Sequence, residues 1–244
     1  MSYRVTNNVI TSQTASMLIA GMYPARANED TPLLIQPDSI DSLEPAYTCA
    51  TSSALFGSYG SGSTSPLWLE HIDAASSLYA RLDALSGVSP NASDWHMSFD
   101  HYFDNLSARL CHAKPLPCSN ENSTDCVTLA EAEEVFRLGE YEYSFIYRDS
   151  NQSLPASVSS YGIWVGELTQ NLRHAMHDGP SSVNVTSTKV KYRHNVAHDG
   201  SVSRLLSILQ IEKMVWPGMV CHWVNVICEA TYHTDDHPGL RGGI

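Results

Sequence analysis

His198, Asp199 and Gly200 stand where a run with alternating apolar side chains, Val190, Tyr192 and Val196, gives way to the helical spacing of Val202, Leu205, Leu206, Ile208 and Leu209. That pattern predicts a strand, a turn and a helix. The first amide hydrogens of a helix lack intrahelical partners and carry partial positive charge, so a histidine and an aspartate set there face a natural anion pocket. The same residues also have a plain structural use, with Asp199 capping the helix and His198 closing the strand. A second set lies at the start of the chain. Tyr3-Arg4-Val5-Thr6 is a short strand-like segment carrying an arginine, and Thr11-Ser12 open an apolar helix through Ala15, Leu18, Ile19 and Met22 that stops at Pro24.

Taken together these segments resemble the histidine acid phosphatase family, in the branch of secreted fungal acid phosphatases and phytases. The family's R-x-T, T-x-S and G-x-x-P pattern is matched by Arg4, Thr6, Thr11 (with Ser12 beside it rather than two residues on) and Gly21 to Pro24, and its late His-Asp turn by His198-Asp199. The likeness runs from Val5 to Asp41 and from Trp95 to Pro217. It implies hydrolysis of a phosphate monoester through a phosphohistidine, with no metal and no cofactor. It also implies a phosphoglycerate mutase-like fold, a mixed sheet flanked by helices with a helical insertion roofing the site.

In that chemistry, cations and hydrogen-bond donors neutralise the equatorial phosphoryl oxygens, and the leaving alcohol needs a proton. Arg4 would supply a planar donor fork and His198 would hold another oxygen. Asp199, protonated in acid, would be the general acid. The family's nucleophile signature, R-H-G-x-R-x-P, is missing. The Arg-His pairs present, Arg173-His174 and Arg193-His194, are followed by Ala175 and Asn195 rather than glycine. The expectation is therefore an inactive fragment that begins inside a longer phosphatase. Beyond Met219, where the family continues G-x-E-V-V-F-E, residues 220–244 depart from the pattern as translation of an unspliced intron would.

Two other readings compete. His194 and His198 are four apart, as are His233 and His237, with Asp199, Asp235 and Asp236 beside them, a superficial zinc set. Such spacing binds zinc on a helix, whereas Val196 and Gly200 make the first pair strand-like. The other is a phosphatase-like glycoprotein that binds phosphate without turning it over.

Composition narrows the setting. Sequons at Asn91, Asn105, Asn122, Asn151 and Asn184 exceed what average composition gives, and with six cysteines they predict a secreted, N-glycosylated chain. Cys118 and Cys126 bracket a polar loop that a disulfide would close, and Cys49 with Cys111 is a candidate second pair. A formal net charge of −12 excludes nucleic acid and anionic membrane as partners, because both need a basic face. No signal peptide is recognisable in the first twenty residues.

The elements that must position the site follow from periodicity. Residues 1–48 belong to an α/β domain, including a proline-rich passage at Pro32 to Pro45 expected to be irregular. Residues 49–187 form the helical cap. There Ser65-Pro66 opens a helix running to Gly87, Ser93 opens another through Leu110, Thr128 to Glu131 is a capping box, and Leu154-Pro155 opens a fourth towards Gly179. Residues 188–219 return to the α/β domain.

Overall fold

In the computed structural model, residues 1–24, 30–46, 49–59, 65–177, 190 and 192–211 are described. The expectations for Asn184, Gly179, His233, Asp235, Asp236, His237 and residues 220–244 lie outside them. The described residues form two compact units, one of residues 1–56 with 151–212 and one containing residues 57–150. The chain is a mixed α/β protein.

The first unit is built on a parallel sheet in which β1 (Ser2–Val5) lies between β2 (Leu33–Ile35) and β3 (Arg193–Val196). Tyr3 pairs with Leu33 on one side and His194 on the other. Burial of Tyr3, Arg4 and Val5 marks β1 as the interior strand. β2 comes from the passage expected to be irregular. A three-residue strand between Pro32 and Pro37 is too short to show a period of two, so only pairing with β1 reveals it.

Helix α1 (Val9–Met22) leaves β1 two residues earlier than its sequence signal. Its cap is Asn8, whose Oδ1 accepts the Ile10 N–H at 2.9 Å, while Thr11 is drawn inside. Ahead of the sheet's return come α2 (Ala50–Tyr59), α3 (Pro66–Ala74), α4 (Ser76–Ser86), α5 (Asp100–Cys111), α6 (Leu129–Ser144) and α7 (Ser153–His177); α8 (Asp199–Ile208) follows β3. α7 packs against α8 in the sheet's unit, so the compact helical unit is narrower than the expected 49–187 block.

In that second unit, α4, α5 and α6 bury Leu78, Leu82, Phe99, Leu106, Val135 and Phe136 in one core. The helix expected from Ser65 is interrupted at Ala75, and α4 ends on Gly87, whose φ of +73° is the left-handed turn glycine permits. The capping box at Thr128 and Glu131 is formed. α5 starts at Asp100 rather than after Ser93 because the preceding residues are held elsewhere. His96 Nε2 lies 3.0 Å from Asp83 Oδ2, and the Phe99 N–H donates to the Glu142 carboxylate at 3.0 Å. Cys118 and Cys126 are bridged, and among the described residues Cys49 and Cys111 are not joined to each other.

Glu142 gives this unit a pH signature. Burial pushes its carboxyl above the usual value of 4.5, against the opposing hydrogen bonds from His71 and the Phe99 amide. A group whose pKa rises on folding stabilises the fold below its unfolded value and loses that contribution as pH rises through the folded one. Thermal melts should therefore favour wild type over Glu142→Gln most below the ordinary carboxyl value of 4.5, with the gap closing as pH rises above it. A gap that widens with pH would contradict this.

Candidate functional site at the end of the parallel sheet

Side chains alternate along a strand, so Arg4 and Thr6 project from the same face of β1 while Tyr3 and Val5 project from the other. β1 ends beside β3, and each runs into a helix: Asn8 caps α1, and His198, in extended conformation, precedes the first residue of α8. The chain leaves β1 towards β2 on one side, whereas β3 lies on the other, so the strand order reverses at β1. Open parallel sheets form a crevice at the carboxyl ends of strands where the order reverses. A cavity of about 560 Å³ occupies this position, lined by Asn7 and Asn8 after β1, by His198 to Ser201 after β3, and by Asp38, Asp41, Glu44 and Arg204.

His198 reaches across to β1. Its Nε2 lies 3.2 Å from Thr6 Oγ1 and 3.3 Å from Glu44 Oε2. The two residues in the first contact are 192 positions apart. Asp199 is exposed at the start of α8, and its Oδ1 accepts the Gly200 N–H at 2.7 Å. The base of α8 is tied to the loop after β2 by the Ser201 hydroxyl, which donates to the Leu43 carbonyl at 2.6 Å.

Arg4 is placed differently. Its guanidinium is buried and donates to Asp41 Oδ1 at 2.8 Å, to Ser42 Oγ at 2.9 Å, to Glu167 at 2.8 and 3.0 Å, and to Gln36. It does not line the cavity; its partner Asp41 does. Burial works upward on the Glu167 carboxyl, and hydrogen bonds from Ser42 and Arg4 together with the Arg4 charge outweigh it, leaving Glu167 below the usual carboxylate range. So His198 and Asp199 meet in the cavity with Thr6 behind them, while Arg4 anchors its acidic wall.

Asp41, Glu44, Glu167 and Arg204 were not singled out in the sequence. Glu167 meets Arg4 across 163 residues, and no spacing announces it. Arg204 lies within the apolar run of α8, where it reads as an exposed position; its guanidinium instead sits 5.2 Å from the centre of the Phe56 ring.

The cavity brings together the His198 imidazole, the Arg204 guanidinium and the N-terminus of α8 with the carboxyl groups of Asp38, Asp41, Glu44 and Asp199. For zinc, His194 lies within β3 with its Nδ1 2.6 Å from the Tyr192 hydroxyl, and His198 lies beyond the strand, so the four-residue spacing does not fall on one helix. Among the described residues no three His, Cys, Asp or Glu side chains are grouped to hold a metal, and no helix is long and apolar enough to cross a membrane. Comparison with protein-family models, curated proteins and solved structures yields no match.

Proposed function

We propose that this chain carries the phosphate-binding and proton-donating part of a histidine acid phosphatase site on a phosphoglycerate mutase-like fold, in a secreted glycoprotein whose complete form hydrolyses phosphate monoesters. The observation that carries this reading is that His198 and Asp199, at the N-terminus of α8, line one cavity, with His198 Nε2 set against Thr6 Oγ1 just past the neighbouring strand. These are residues on which the family resemblance rests.

In the complete reaction a histidine of the R-H-G-x-R-x-P segment attacks phosphorus. The bond from phosphorus to the ester oxygen breaks, Asp199 passes its proton to that oxygen, and water later releases inorganic phosphate from the histidine. His198 holds a phosphoryl oxygen throughout. Without that segment the chain binds phosphate and does not turn esters over. Exposure of Asn91, Asn105, Asn122 and Asn151 is compatible with N-glycans at these sequons.

A second reading, a catalytically dead phosphatase-like glycoprotein, is favoured by one feature. The Arg4 fork is already taken by Asp41 and Glu167, where a working enzyme would turn it to substrate. Inorganic phosphate titrated into the protein, followed by ³¹P and histidine NMR, tests phosphate binding under both readings. The expected result is saturable binding that perturbs His198 and is lost in His198→Ala. Binding that survives that substitution would overturn the site. Adding the R-H-G-x-R-x-P segment separates the two readings, since only the first predicts turnover.

A further inference from the structure

We propose that Thr6 and Thr11 are positioning residues that fix the tautomer of His198, holding a proton on Nε2 so that the ring offers the cavity a hydrogen-bond donor. The argument follows the protons. Thr11 Oγ1 lies 2.9 Å from the Asn8 carbonyl oxygen and 3.2 Å from that of Thr6. Carbonyl oxygens only accept, so the single Thr11 hydroxyl proton goes to them. The Thr11 oxygen is then an acceptor towards Thr6 Oγ1, 3.0 Å away, and the Thr6 proton is committed to it. With that proton committed, Thr6 can meet His198 Nε2 at 3.2 Å only as an acceptor. The nitrogen must therefore carry hydrogen.

Glu44 supports the same assignment independently. Its Oε2 stands 3.3 Å from the same nitrogen, where a bare lone pair would be repelled and an N–H is attracted. Thr6 is 0% exposed and Thr11 3% exposed, which keeps water from reorienting the two hydroxyls. The relay starts at Thr11 in the first turn of α1, passes through Thr6 just past β1 and ends on the residue that precedes α8, so it ties the imidazole to both segments at the crevice. Its value for function rests on the phosphate reading: a phosphoryl oxygen accepts from the N–H that Glu44 otherwise faces.

The test uses the whole chain with ¹⁵N-labelled histidine. Long-range proton–nitrogen correlations recorded at alkaline pH distinguish the tautomers, and His198 is assigned by its loss in His198→Gln. Wild type is expected to show the Nε2–H pattern. Thr11→Val releases the Thr6 proton to turn towards Nε2, so the Nε2 resonance should move towards the unprotonated position and Nδ1 should move the opposite way. Thr11→Ser, which keeps the hydroxyl, should restore the wild-type pattern, and Thr11→Ala serves in place of valine if the larger side chain does not fold. An Nδ1–H ring in the wild type, or a tautomer unmoved by loss of the Thr11 hydroxyl, would overturn the proposal. A tautomer that follows Thr11 in a protein whose His198 ignores inorganic phosphate would uphold the relay and overturn the phosphate reading instead.

Discussion

Asp199→Asn, in a form of the protein that includes the R-H-G-x-R-x-P segment, is expected to lower turnover of alkyl phosphates by about two to four orders of magnitude, the usual reach of a positioned general acid. Aryl phosphates should lose much less, because the oxygen of an acidic phenol departs with little help from a proton. The substitution is mild for the fold. Asp199 is exposed at the first position of α8, and an asparagine carbonyl can still accept the Gly200 N–H that Oδ1 accepts now. What changes is the transferable proton. Steady-state kinetics on one alkyl and one aryl phosphate supply the measurement, and equal losses on the two would remove Asp199 from this role.

Arg4→Ala should act first on stability. The arginine and Asp41 form a buried pair, with side chains 9% and 2% exposed at 2.8 Å. Removing the arginine leaves the buried Asp41 carboxylate with the Leu43 N–H at 3.0 Å but without its cation, at a cost of about 3–5 kcal/mol. Glu167, 40% exposed, can turn to solvent, and its share of the loss is correspondingly small. Arg4→Lys keeps the charge but not a planar fork that reaches Asp41, Ser42 and Glu167 together, so it should fall between. Urea denaturation reads the difference. A variant that unfolds with wild-type midpoint would show that Arg4 does not hold this wall of the cavity. In the form bearing the nucleophile segment, whatever activity survives should be reduced alike for alkyl and aryl esters, since Arg4 holds the cavity wall through Asp41 and takes no part in protonating the leaving oxygen.

The local signals were legible in the chain. Apolar spacing located α8 and the strand before it, the Thr128 and Glu131 capping box placed α6, and Gly87 placed the end of α4, because each depends on neighbours within a few residues. The His198-Asp199 turn was legible for the same reason. Other features needed the tertiary fold. β2 is too short to carry a period, and the start of α5 is set by Glu142, some forty residues on, accepting the Phe99 amide. Arg4 looked like an open donor fork because a sequence cannot show what a buried cation meets. Only folding brings Asp41 and Glu167 to it, since a charge removed from water must find partners wherever the chain can supply them. Types and spacing chose His198 and Asp199, and the parallel pairing of β1 with β3 decided that His198 would meet Thr6.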